Sequence, residues 1–155
     1  MTKLIMMVGV PASGKSTYVK NHATPKDIVI SRDDIRFDMV PDSLPYFSKE
    51  KEVFKEFVRQ AQDAIDANTY NRIFLDATHL NEKSRNKVLN KLNLKNVTLE
   101  AVYFALPTKV VIARNNKRVG RYRVPDEAMQ QMAERLTCPS ADKKYRYKIV
   151  RVVTE

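Results

Sequence analysis

"GVPASGKST" (9–17) overlaps the end of an unbroken apolar run, "LIMMVGV" (4–10), and gives way to "YVKNH". Gly9, Gly14, Lys15 and Ser16 fit the spacing G-x-x-x-x-G-K-[ST]. Glycines let the backbone curl until successive N–H groups point at phosphate oxygens, and the helix that follows adds its positive end. Two of the chain's three glycines lie in this one loop. The pattern predicts that Gly9, Pro11, Ala12, Ser13, Gly14, Lys15, Ser16 and Thr17 cradle the phosphates of ATP or another nucleoside triphosphate. Lys15 would reach the β and γ phosphates, and the Ser16 hydroxyl would ligate Mg²⁺. The alternative is a structural strand–turn–helix that holds no ligand.

Outward from this loop, strand-like and helix-like segments alternate. "LIMMVGV" (4–10), "IVIS" (28–31), "RIFLD" (72–76), "TLEAVYFA" (98–105) and "YKIVRVV" (147–153) read as strands. The first three are continuously apolar, as strands buried on both faces must be. Residues 15–22 read as a short helix. The segment 48–67 places apolar residues at 53, 54, 57, 58, 61 and 65, one face of a helix with Ser48 as its N-cap. Segments 81–92, 108–118 and 126–136 complete the helices, with Pro107 and Pro125 at their starts. Residues 37–47 carry Pro41 and Pro45 without periodicity and read as a loop near the site. This alternation predicts an α/β fold in one domain, 1–155, with a central parallel sheet of about five strands and helices on both faces. Ligands gather at the carboxyl edge of such a sheet.

The formal charge of +10 favours an anionic partner such as nucleic acid or a phosphate-rich substrate. A solvated basic surface is the plainer alternative, but "RNNKRVGRYR" (114–123) concentrates five cations in ten residues. No apolar stretch approaches the ~20 residues of a membrane span. One cysteine, Cys138, forms no internal disulfide and fits a reducing compartment. With only two histidines beside it, a structural zinc site is disfavoured.

"IVISRDDIRFD" (28–38) runs from a strand into two carboxylates between Arg32 and Arg36. Ser31, Asp33 or Asp34 would serve as a helix cap. A cap needs no arginines, whereas a carboxylate that orients an attacking hydroxyl beside a cation that holds a phosphorylated acceptor is what phosphoryl transfer requires.

Together "GVPASGKST", "SRDDIR" (31–36), "FLDATHLN" (74–81) and "ARNNKR" (113–118) resemble the 5′-kinase domain of T-even phage polynucleotide kinase and its small P-loop relatives, over nearly the whole chain. The resemblance implies a P-loop NTPase fold and transfer of the γ-phosphate of ATP to a 5′-hydroxyl end of DNA or RNA, with Mg²⁺. It implies Asp33 as the base, Arg36 as the clamp on the acceptor's 3′ phosphate and Arg118 as the arginine that closes on the donor phosphates. Lys15 and Ser16 keep their loop roles, and Arg114 is expected near the nucleotide on the helix face of Arg118. A carboxylate is a weak base, but transfer is largely dissociative, so orienting the hydroxyl is the larger part of Asp33's role. Asp34 is left to capping or support. Asp76 either backs Mg²⁺ through water or is a buried structural acid.

Two departures stand out: Ala12 replaces a second loop glycine, and His79 replaces an asparagine; the histidine is expected to face solvent or the acceptor. No D-x-D-G-[TS] signature occurs, so a kinase without the phosphatase domain is expected. A cytoplasmic protein (in the host cell if phage-encoded) is expected, a monomer or small homo-oligomer with no membrane, and the likeness implies a role in end repair. The competing readings are a kinase for a nucleoside, a nucleotide, a hydroxylated base in DNA or a non-nucleic-acid metabolite, and a P-loop protein that binds nucleic acid without transfer.

Overall fold

The computed structural model describes residues 1–155. In chain order the elements are β1 (Thr2–Val8), α1 (Lys15–His22), β2 (Ile28–Ser31), α2 (Arg32–Met39), α3 (Glu50–Ala67), β3 (Arg72–Asp76), α4 (Glu82–Leu89), β4 (Val97–Phe104), α5 (Thr108–Asn116), α6 (Asp126–Arg135) and β5 (Ile149–Val153). The five strands form one parallel sheet in the order β2-β3-β1-β4-β5. The expected α/β architecture is therefore present.

Side-chain alternation divides β1 between two cores. Leu4, Met6 and Val8 join Val53, Phe57 and Ala61 of α3 and Val88 of α4 on one face. Ile5 and Met7 pack with Val19 of α1, Phe74 and Phe104 on the other. Burial on both faces explains why β1 and β3 read as unbroken apolar runs. By contrast β2 and β5 are the edge strands. Val29 of β2 is exposed, which corrects the expectation that β2 is buried on both faces. β5 leaves Ile149 and Val152 exposed, while its Arg151 pairs with buried Glu100 at 3.0 Å. No helix is long and apolar enough to cross a membrane.

The register sets the position of the site. Ser31 pairs with Asp76 across β2 and β3, so the residues following both strands emerge together at the edge where β1 runs into its loop. Three local expectations are corrected. Residues 37–39 are helical, because Ser31 caps α2 and Ile35 anchors it in the core. Ser48 does not cap α3, which starts at Glu50 after Lys49 with no side-chain cap. The helix α5 ends at Asn116, so Arg118 lies past its end and shares no helix face with Arg114.

Candidate active site

The loop 9–14 is built by backbone geometry. Gly14 has φ 99° and Ala12 φ 65°, both left-handed, which turns the chain from β1 into α1. A Cβ on Gly9 would lie 2.6 Å from Ser13 Oγ and 3.0 Å from Phe104 Cβ, so only glycine fits there. Lys15 is buried, and its Nζ donates to the carbonyl oxygens of Gly9 and Val10 at 2.9 Å each. Burial pulls its pKa down to about 8, against the pull of the Asp76 and Asp33 charges. An ammonium held this way is short of counter-charge, which a phosphate would supply.

Ser16 Oγ donates to Asp76 Oδ2 at 2.8 Å. Burial raises the Asp76 pKa, with Lys15 pulling in the opposite direction. A hydroxyl and a carboxylate side by side at a phosphate loop are ligands suited to a hard divalent cation. No third acid or histidine joins them, so Mg²⁺ would draw its remaining ligands from water and phosphate, as it prefers. The site fits the cation.

Across the cleft, Ser31 Oγ accepts from the Asp34 N–H at 3.2 Å and takes the helix cap, which frees both aspartates from it. The Asp34 side chain therefore does not cap, which leaves support of the two roles expected of it. Asp33 Oδ1 accepts from Arg36 Nη1 at 2.6 Å and from the Tyr46 hydroxyl at 3.0 Å. Burial, aided by the Asp33 charge, holds the Tyr46 phenol up at about 12, so it remains a donor. Arg36 is the buried centre of this group. Its forked Nε and Nη2 edge meets both oxygens of Glu50 at 2.7 and 2.8 Å. Burial works against its charge, but Glu50, Tyr46 and Asp33 outweigh that and raise its pKa.

One cleft of about 290 Å³ contains both groups: Pro11, Ala12, Gly14, Lys15, Ser16, Thr17 and Asp76 on one side, Asp33, Arg36, Glu50, Tyr46 and Phe47 on the other. Arg118, Arg121 and Tyr122 border it as well. Arg114 lies outside it, bordering a neighbouring hollow with Ser13, Thr17, Arg118 and Val153. Sequence reasoning missed Glu50, Tyr46, Phe47, Arg121 and Tyr122. The available signal was two aromatics in an aperiodic, proline-flanked segment, since loop residues carry function more often than packing.

His79 is the clearest correction. It is buried, with φ 44° and its Nδ1 2.7 Å from the Met7 carbonyl oxygen, and so faces neither solvent nor the cleft. The loop after β3 folds under the sheet edge because Arg85, fully buried on Asp142, also donates to the His79 carbonyl at 2.9 Å. Burial pulls the His79 pKa down to about 3, and the nearby Arg32, Lys15 and Arg85 cations add to the effect.

A parallel sheet ending in this loop, with a carboxylate facing it across a cleft, defines a P-loop kinase. Residues 4–139 match a family described as an AAA domain, and the chain belongs to that family of P-loop kinases. A kinase of this family takes a nucleoside triphosphate as its phosphate donor, usually with Mg²⁺. The L-seryl-tRNA(Sec) kinase of Methanococcus maripaludis is 25% identical over 160 residues, covering 98% of this chain and 58% of that protein. A chain of the Pnkp1/Rnl/Hen1 RNA repair complex superposes with TM-score 0.68 at 24% identity, over 87% of this chain and 44% of that one. A sugar kinase from Janibacter sp. HTCC2649 superposes with TM-score 0.64 at 18% identity, over 99% of this chain and 86% of that one. The two structural likenesses concern the fold. The chain spans less than two thirds of the length of the first two of these proteins.

Proposed function

We propose that this kinase transfers the γ-phosphate of ATP to the 5′-hydroxyl end of a DNA or RNA strand. The observation that carries the reading is Asp33, held by Arg36 and Tyr46 at the edge of the cleft that Lys15 and Ser16 enter from the other side. Lys15 would exchange its two carbonyl partners for phosphate oxygens, and Arg118 would close over them from the end of α5. Asp33 would align the hydroxyl and take its proton. The 5′ oxygen then bonds to the γ phosphorus as the bond from that phosphorus to the bridging oxygen breaks and ADP leaves. Ser16, with Asp76 behind it, would hold Mg²⁺, which when bound neutralises charge on the β and γ oxygens. The charge of +10 and the aromatic acceptor end suit a nucleic-acid strand.

A second reading has its own observation. Glu50 already fills the forked edge of Arg36, which favours an acceptor without a neighbouring phosphate, such as a nucleoside or a hydroxylated base. Incubation with Mg²⁺ and γ-labelled ATP against 5′-hydroxyl DNA, 5′-hydroxyl RNA, nucleosides and hydroxymethylated DNA separates the two. Label on oligonucleotide ends is expected. Label confined to nucleosides or to the modified base would overturn the leading reading.

A further inference from the structure

Four aromatic side chains run in a row along the acceptor end of the cleft. Tyr122, Phe37, Tyr46 and Phe47 have successive ring-centroid separations of 4.6, 5.3 and 4.9 Å. Two guanidinium groups lie across the row. Arg121 is 5.2 and 4.9 Å from the centroids of Phe37 and Tyr46, and Arg36 is 5.0 Å from those of Tyr46 and of Phe47. The row joins three parts of the chain: α2, the segment between α2 and α3, and the turn after α5. Arg121 ties them by donating to the Val40 carbonyl at 3.1 Å and to Asp42 at 2.9 Å.

The inner rings are partly covered by their neighbours, but the end rings are not. Tyr122 is 56% exposed and Phe47 58% exposed, and both border the cleft that contains Asp33. A satellite apolar cluster ordinarily turns its rings inward. Here the two end rings stay exposed beside cations, on the cleft that also holds the phosphate loop. A nucleotide presents a flat π face and an anion together, the combination that ring and guanidinium surfaces bind.

We propose that the exposed rings of Phe47 and Tyr122 form the subsite for the unpaired base of the nucleotide that carries the acceptor hydroxyl. The inference rests on the nucleic-acid acceptor proposed above. It assigns these two residues to acceptor selection.

The test uses the full chain with Mg²⁺ and ADP and two single-stranded 5′-hydroxyl oligonucleotides. One carries 2-aminopurine at its first position, and the other is abasic there. Binding is expected to quench the 2-aminopurine, and the abasic strand to bind about tenfold more weakly than an ordinary one. Phe47→Ala and Tyr122→Ala, both at exposed positions, are expected to weaken the ordinary strand by a similar factor and leave the abasic strand unchanged. Absence of quenching, equal affinity for the two strands, or variants that weaken both strands alike would overturn the subsite. Transfer of label is read separately. If quenching and the variant cycle hold while no strand accepts phosphate, the base subsite stands and the polynucleotide-kinase reading falls.

Discussion

The two ends of the cleft are made in different ways. The donor end is main chain: a loop with two left-handed residues, carbonyls that hold Lys15, and a helix start aimed at the cleft, all braced by the central strand β1. The acceptor end is side chain: Asp33, Arg36, Tyr46 and Glu50 bond to one another from α2, α3 and the segment between them. A backbone cradle binds whatever carries phosphates in series, so it serves many kinases unchanged. A side-chain network can be re-specified one residue at a time, so on the proposed function acceptor choice would reside there.

The sharpest attempt to break this division is Asp33→Ala. Transfer is expected to fall by about a thousandfold, while ATP affinity, measured by calorimetry, stays within twofold. Lys15→Ala is expected to lose both. Loss of ATP affinity in Asp33→Ala comparable to that in Lys15→Ala would show that the ends do not act independently.

Arg36→Ala sharpens the comparison within the acceptor end. Loss of the 2.6 Å bond to Asp33 is expected to lower kcat for every acceptor. If Arg36 also meets the acceptor's phosphate, KM rises about tenfold more for a nucleoside 3′-monophosphate than for the plain nucleoside. An unchanged KM ratio would assign Arg36 to positioning Asp33 alone and strengthen the second reading, since Glu50 would then be its permanent partner.

The same division explains what could be read from sequence. The donor loop was legible because backbone geometry demands fixed residue types at fixed spacing: Gly9 for close approach, Gly14 for a left-handed turn, Lys15 and Ser16 on the next turn. The sheet was legible because β1 and β3 are buried on both faces. From the residues alone Asp33 was legible only as one of two adjacent acids, and the structure separates them by bonding Asp33 to Arg36 and Tyr46. Glu50 lies 14 residues beyond Arg36, and nothing in their spacing announces the pair. Tyr122 meets Phe37 across 85 positions for the same reason: a contact made by tertiary folding leaves no local period. His79 was misread because a histidine after a strand carries no mark of burial; its place depends on Arg85, Asp142 and Met7, none adjacent to it.

That histidine gives a stability prediction between the two ends. Its folded pKa of about 3 lies below the ordinary value of 6.5, so the folded state keeps it neutral while the unfolded chain takes up a proton. Stability is full above pH 6.5 and is lost as pH falls from there toward 3. Between pH 7 and pH 5 the loss attributable to His79 is about 2 kcal/mol. His79→Asn, which tolerates the left-handed backbone, should flatten the chemical-denaturation profile by that amount over that range. An identical slope in the variant would mean the ring titrates normally and is not sealed beneath the sheet edge.

The smallest effect tests the claim that the donor end is set by backbone alone. Ala12 holds φ 65° where an L side chain costs ~1–2 kcal/mol, and glycine relieves that cost while giving the unfolded chain back about 0.4–1 kcal/mol of entropy. Ala12→Gly should therefore stabilise the protein by roughly 0.5–1 kcal/mol, a rise of about 2 °C in Tm for a chain of this size. It should leave acceptor KM untouched, because the acceptor network does not reach this residue. A lower Tm would mean that the Ala12 methyl packs usefully against the cleft wall. A shifted acceptor KM would mean that loop strain is transmitted to Asp33, and the two ends would then have to be treated as one mechanical unit.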